Sequence, residues 1–219
     1  VRQQVIVAID GPAGAGKSTI GRALARALDL SYLDTGAMFR AVAWLARHEG
    51  VDVNDRIEVA RLAQRMDLRQ NGDVVVVDGH DVTGEIRSQE ISDATSVVAT
   101  NPDVRIELRE RQRHWAASNG GGVIEGRDIG TVVFPEAVLK VFLDASPRVR
   151  AQRRVAQTGG SVDEVERAIA ERDARDTSRN DAPLRHGDDA VRVDTGNRAI
   201  DDVVNEILGL LRERLSWHA

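Results

Sequence analysis

The segment Gly11-Pro12-Ala13-Gly14-Ala15-Gly16-Lys17-Ser18 follows at once on an apolar run, Val5–Ile9, and matches the pattern G-x-x-x-x-G-K-[ST]. A buried strand, a glycine loop and a helix in direct succession restrict the chain to a narrow set of α/β folds. The strand must deliver the loop to the edge of a sheet, and the helix must pack back on that sheet. Glycine lets successive backbone N–H groups turn inward around phosphate oxygens, and the helix adds its positive amino-terminal end. Gly11, Pro12, Ala13, Gly14, Ala15, Gly16, Lys17, Ser18 and Thr19 are therefore expected to cradle nucleotide phosphates. Lys17 is expected to reach the β- and γ-phosphates, and the Ser18 hydroxyl to ligate Mg²⁺. Lysine is scarce here: Lys17 and Lys140 are the only two among 30 basic residues, the rest being arginine.

Beyond this P-loop the chain alternates apolar runs with helical stretches. Val5–Ile9, Tyr32–Leu33, Val123–Ile124, Lys140–Leu143 and Ala190–Val193 read as short buried strands. Helices are expected from Ser18 to Leu28, from Thr35-Gly36 to about His48, and from Asn101-Pro102 to the Asn119–Gly122 break. Ser146-Pro147 opens another that Gly159-Gly160 ends, Ser161-Val-Asp-Glu164 has the form of a capping box, and the last helix runs from about Ala199 to Leu215. Strand and helix in alternation imply an α/β P-loop NTPase fold, a five-stranded parallel sheet flanked by helices. One stretch breaks the rhythm: Asp67–Val82 carries Asn-Gly and Asp-Gly turns between short alternating runs, the mark of antiparallel strands. The expected organisation is one P-loop domain, 1–219, with a small antiparallel insertion at 61–98 and a helical lid at 148–180.

A chain of 219 residues suffices to bury a core of this kind. Its net charge of −5 gives no basic tail or patch for nucleic acid, so an anionic ligand must be captured by locally focused arginines. The absence of cysteine removes disulfides, thiolate metal sites and a thiol nucleophile. The longest amino-terminal apolar stretch is five residues and ends at Asp10, so neither a signal peptide nor a membrane span is expected. A cytoplasmic location and no membrane partner follow as expectations. No long exposed apolar helix face demands a partner, which points to a monomer.

Three further clusters carry candidate chemistry. Asp34-Thr35-Gly36-Ala-Met-Phe39-Arg40 places a hydroxyl and a glycine at a helix start, with Arg40 one turn inside on the same side; a capped helix with a surface arginine is the bland alternative. Glu125-Gly126-Arg127-Asp128 directly follows a strand, where open parallel sheets gather their ligands, although a turn held by a local salt bridge has the same composition. Arg172, Arg175, Asp176 and Arg179 fall at helical spacing on one face, with Arg150, Arg153 and Arg154 on the preceding helix. Three arginines on one stripe repel one another unless an anion or neighbouring carboxylates meet them. With the P-loop they read as an arginine lid over transferring phosphates. Lys17, Arg127, Arg153 and Arg179 are the groups expected to act on the transferring phosphoryl group.

Taken in order, the P-loop, Asp34–Arg40, Gly84-Glu-Ile-Arg-Ser-Gln-Glu90, Arg105 with Arg111-Gln-Arg113, Gly126–Pro135, Phe142–Ala145 and the arginine helix resemble the bacterial cytidylate kinases over nearly the whole chain. The resemblance implies acceptor-phosphate contacts at Arg40, Arg127 and Arg179, with Thr35 close by. It implies cytosine-reading positions at Ser96, Arg105 and Asp128, and ribose contacts at Arg172 and Asp176. It implies ATP as phosphoryl donor, Mg²⁺, and CMP or dCMP as acceptor. Cytosine's exocyclic amine suits a carboxylate such as Asp128, and its ring acceptors suit Arg105 and Ser96. Two positions depart from many relatives. Phe39 stands where Tyr is common, and Glu125 where Asp occurs; the latter would either hold Mg²⁺ through water or serve the structure. Another small-molecule kinase with a UMP, AMP or non-nucleotide acceptor, and a nucleotide-binding switch, are the rival readings. The missing guanine-reading Asn-Lys-x-Asp and the arginines supplied in cis speak against the switch.

Overall fold

The computed structural model describes residues 4–179 and 181–216. Two compact units make it up. One takes in the residues up to Tyr32 and from Ala116 onward; the other is Leu33–Trp115. The chain runs β1 (Val5–Asp10), α1 (Lys17–Leu28), β2 (Tyr32–Asp34), α2 (Thr35–His48), α3 (Arg56–Arg65), β3 (Leu68–Asn71), β4 (Val74–Val77), β5 (His80–Asp81), α4 (Gln89–Val98) and α5 (Pro102–Ser118). It continues with β6 (Gly121–Glu125), β7 (Leu139–Asp144), α6 (Pro147–Thr158), α7 (Val162–Thr177), β8 (Val191–Asp194) and α8 (Ile200–Ser216). A 3₁₀ turn at Glu85–Arg87 and a π-helical turn at Ile129–Val133 complete it.

The main sheet has the order β2-β6-β1-β7-β8, and β1 pairs in parallel with both β6 and β7, as β7 does with β8. From β1 the chain builds β2 and then β6 on one side, β6 filling the place between β2 and β1, and adds β7 and β8 on the other. The carboxyl end of β1 is therefore the topological switch point, where ligands bind in open α/β sheets. Five buried residues in a row, Ile6–Asp10, give β1 the profile of a strand covered on both faces. In α1 the buried positions are Lys17, Ile20, Gly21, Leu24 and Ala25, one stripe at helical spacing packed on that sheet. Gly21 lets the helix pass close to β2, since a Cβ there would stand 2.9 Å from the Tyr32 ring and force it to move. The core joins Val7 and Ile9 of β1 to Val141 and Leu143 of β7 and to Val203 and Ile207 of α8.

The second unit carries the antiparallel sheet β3-β4-β5, paired Leu68 to Val77 and Val77 to His80, within the expected 61–98 segment. Two of its helices went unread in the sequence, α3 and α4, which flank that sheet in the chain. Asp55 caps α3 by accepting the Glu58 N–H at 3.1 Å, and Ser88 caps α4 through the Ile91 N–H at 3.3 Å. Arg111 of α5 closes the other end of α3 by donating to the carbonyls of Ala63, Gln64 and Met66. The Gly84–Glu90 segment fastens this unit internally: Glu85 accepts the Trp44 indole N–H at 2.6 Å, Ile86 is buried, and Glu90 pairs with Arg47.

Two local expectations need correction. Ser161 stands at the cap position of α7 without a side-chain hydrogen bond. Carboxylates of that first turn and the next, Asp163 and Glu166, are drawn instead to Arg148 of α6. α7 also ends at Thr177, with the Ser178 N–H on the Ala174 carbonyl, so Arg179 lies past the helix rather than on its stripe.

Candidate functional site

The P-loop leaves β1 at Gly11, whose φ is +147° and whose added Cβ would lie 2.1 Å from the Leu143 carbonyl oxygen. Only glycine allows that approach of loop to β7. Lys17 opens α1 while its buried ammonium donates to the Pro12 carbonyl at 2.8 Å, spanning the loop from end to start. The loop is braced from outside. Arg150 donates to the Ala13 carbonyl at 3.1 Å, and Thr195, just past β8, donates to the Ala15 carbonyl at 2.9 Å. Arg150 is buried and also binds the Ala145 carbonyl and the Asp173 carboxylate. Arg153 donates to Thr195 Oγ1 at 3.0 Å and to the Gly196 carbonyl at 2.9 Å, and its Nη1 lies 3.8 Å from where a Gly16 Cβ would be. Arg150 of α6 and Thr195 thus hold the P-loop, and Arg153 fixes the loop that carries Thr195.

At the carboxyl end of β6, Glu125 is buried and its Oε1 accepts both the Ser18 hydroxyl and the Tyr32 hydroxyl at 2.6 Å. Among the described residues no group of three or more His, Asp or Glu side chains gathers as a metal cage. A hydroxyl and a carboxylate oxygen beside a phosphate loop do suit Mg²⁺, which keeps several waters and takes its remaining ligands from phosphates. Ser18 therefore fits the metal-ligating part expected of it, and Glu125 stands close enough to orient that ligand.

The Gly126–Gly130 turn is fixed to β1. The Gly126 N–H donates to the Ile9 carbonyl at 2.9 Å, and the N–H groups of Ile129 and Gly130 donate to the two carboxylate oxygens of Asp10, each at 2.8 Å. Burial pushes the Asp10 carboxyl up to about 6; the two N–H bonds and Lys17 oppose that rise, and Asp128 adds to it. Arg127 leaves this turn to meet α7: its Nε donates to Asp176 at 2.9 Å, and Arg179 donates to the other oxygen of the same carboxylate. Burial works against the ionised form of Asp176, and the charges of Arg127 and Arg179 outweigh it, holding the carboxyl below its ordinary value. Asp176 therefore brings together two arginines that lie far apart in sequence. Arg172 adds to the same field, while Arg175 is exposed with its Nε on the Glu171 carbonyl.

Within the second unit, Asp34 caps α2 by accepting the Ala37 N–H at 3.0 Å, Thr35 is buried as the first helical residue, and Arg40 approaches the Asp34 carboxylate at 4.0 Å. Arg105 is buried with its guanidinium 5.7 Å from the Phe39 ring centroid and one N–H on the Ala99 carbonyl. Phe39 keeps the aromatic face that a cation needs, so the missing tyrosine hydroxyl leaves that contact intact. Ser96 is buried on α4, its hydroxyl on the Ser92 carbonyl at 3.3 Å. Asp10, Tyr32 and Thr195 escaped the sequence reading. For Asp10 a signal existed, a carboxylate closing a strand of otherwise apolar residues. Among the described residues no helix is long and apolar enough to cross a membrane.

With the geometry in hand, known proteins place the chain. The family model described as cytidylate kinase matches residues 7–213. A cytidylate kinase of Streptomyces avermitilis is 44% identical over 216 residues, covering 96% of this chain and 94% of that protein. A bifunctional pantoate ligase/cytidylate kinase of Synechococcus sp. CC9605 is 46% identical over 99% of this chain, which spans 47% of its length. Among solved structures, a gluconokinase from Sinorhizobium meliloti 1021 matches 100% of this chain and 99% of its own at a TM-score of 0.55 and 18% identity, a likeness of fold alone. A phosphate loop at the switch point of a parallel sheet, beside a strand-end Arg-Asp turn, accompanies sequence identity along nearly the full chain, and the chain belongs to the cytidylate kinase family.

Proposed function

We propose that the protein transfers the γ-phosphoryl group of ATP to the phosphate of CMP or dCMP, giving CDP or dCDP and ADP. The observation that carries this reading is the buried Asp128 carboxylate beside Arg127, on a turn hydrogen-bonded to the strand that launches the P-loop. Such a turn offers an acceptor for an exocyclic amine and a cation for a phosphate next to the donor loop. In this reading Arg40, Arg127 and Arg179 take the acceptor phosphate with Thr35, Arg105 and Ser96 meet the ring acceptors of cytosine beside Asp128, and Arg172 and Asp176 meet the ribose. Uracil would set an oxygen against the Asp128 carboxylate, a mismatch that discriminates more strongly than shape.

The acceptor is already an ionised phosphate, its second pKa near 6, so no general base is required. Catalysis rests on alignment and on neutralising charge as the phosphoryl group moves. Lys17, Arg127, Arg153 and Arg179 serve that end. Mg²⁺, held through Ser18, supplies charge neutralisation on the donor phosphates when bound. Residues 61–98 serve as the acceptor-side insertion and 148–180 as a lid that keeps water from the γ-phosphate, both parts of a single kinase domain, 1–219. The same reading has the protein working as a cytoplasmic monomer on free nucleotides, without nucleic acid or membrane.

The test is ATP-dependent ADP release against CMP, dCMP, UMP and AMP. Release is expected to rise with CMP and dCMP and far less with AMP; release unchanged by either cytidylate overturns the reading. In the same assay Asp128→Asn is expected to narrow the CMP-over-UMP preference at least about tenfold, since an amide can donate to the uracil oxygen. An unchanged preference would remove Asp128 from base recognition.

A further inference from the structure

We propose that Asp10 is a positioning residue: its carboxylate holds the Arg127–Asp128 turn in register with the P-loop, so that acceptor choice depends on it. The proposal rests on the cytidylate-accepting reading above.

Three observations carry it. The turn is anchored on both sides to two consecutive residues of β1, by Gly126 on the Ile9 carbonyl and by Ile129 and Gly130 on Asp10, and the next residue, Gly11, begins the P-loop. Arg127 and Asp128 sit between those anchors, Arg127 next to Gly126 and Asp128 next to Ile129. There is also little slack. A Cβ on Gly130 would stand 3.1 Å from the Lys140 side chain, so the turn is seated against β7 as well as fastened to β1.

The third observation is the chemistry of the fastener. Asp10 is buried, and a buried carboxylate is a costly way to satisfy two N–H groups. Its charge, moreover, faces a second carboxylate, that of Asp128, with Lys17 as the opposing cation. Stability alone does not call for this arrangement. What a carboxylate offers is two acceptor oxygens in one plane for two consecutive N–H groups, which fixes the orientation of the turn and not just its distance. Asparagine has a single acceptor oxygen, and its NH₂ would confront the second N–H.

Asp10→Asn tests the proposal, assayed with CMP and with UMP at saturating ATP, and with ATP varied at saturating CMP. The expected result is a fall in kcat/KM for CMP of about tenfold to a hundredfold, the cost of misplacing a binding group by about an ångström. The CMP-over-UMP preference is expected to narrow at least about fivefold while KM for ATP stays within about twofold. A purely structural role would lower the melting midpoint and leave that preference and that split unchanged, and this outcome overturns the proposal. If the wild-type protein itself does not phosphorylate CMP, the cytidylate reading fails first, and the two failures are thereby told apart.

If the variant does not fold, amide NMR of the nucleotide-free wild type decides the matter. The amide protons of Ile129 and Gly130, and with them those of Arg127 and Asp128, are expected to shift together as Asp10 titrates about a pH near 6. Amides that stay still while Asp10 titrates overturn the proposal.

Discussion

Lys17→Met is expected to lower kcat on the order of a thousandfold while the protein remains folded, measured by coupled ADP release with CMP as acceptor. The substitution keeps most of the unbranched apolar stem of a buried side chain and removes its charged, hydrogen-bonding end. The stem lies within a loop whose conformation is set elsewhere, by positive φ at Gly11, Gly14 and Gly16 and by the braces from Arg150 and Thr195. The Lys17 ammonium donates to the Pro12 carbonyl across the loop, a charged contact whose loss costs about 1.5–3 kcal/mol. The large effect belongs to the transition state, where charge builds on the transferring group inside a low-dielectric site. A variant whose KM for ATP rises while kcat stays within tenfold of normal would assign Lys17 to ground-state binding alone.

Arg179→Ala is expected to lower turnover at least about a hundredfold with an unchanged far-UV spectrum. Arg179 and Arg127 bind opposite oxygens of Asp176, so both guanidinium groups are oriented before any phosphate arrives. Pre-orientation is what lets a cation stabilise a transition state without reorganising at the moment of reaction. Truncation leaves Asp176 with Arg127 as its partner, so the buried carboxylate is not abandoned and only a few degrees of melting temperature should be lost. Arg179→Lys separates charge from geometry, since an ammonium lacks the planar fork that shares one carboxylate oxygen and one phosphate. Near-normal kinetics in the alanine variant would remove Arg179 from the mechanism.

Much of the site is legible in the sequence, and the reason is local. Residues 11–18 specify their conformation through glycine and their chemistry through Lys17 and Ser18, so the loop reads off its own letters. Strand ends are nearly as plain, because a charged residue after a run of apolar ones marks where a buried strand reaches solvent; Asp34 and Glu125 were found in that way. The arginines of α6, α7 and the turn after it are legible in the sequence as charge and not as contacts. Helical spacing put Arg179 on the stripe of α7, but the helix stops at Thr177, and it is the following turn that brings Arg179 to Asp176. The Ser161 box likewise has the right letters, yet Ser161 makes no side-chain cap hydrogen bond, and the tertiary contact of that end of the helix is Arg148 with Asp163 and Glu166. Helices α3 and α4 were hidden by the strand-like turns between them.

The sequence by itself determined that a strand, a phosphate loop and a helix open the chain, that a parallel sheet follows, and which arginines and carboxylates stand at strand ends. Such features are set by side chains within a few residues of one another. Tertiary structure alone decided what those charges do to each other. It tied Arg150 to the P-loop and Arg153 to the loop after β8, paired Arg127 with Asp176 across 49 positions, and laid Asp10 against backbone N–H groups 119 and 120 positions away. Hydrogen bonds of that reach follow from how the sheet is ordered, with β6 and β7 flanking β1, and no local pattern of residues encodes that order.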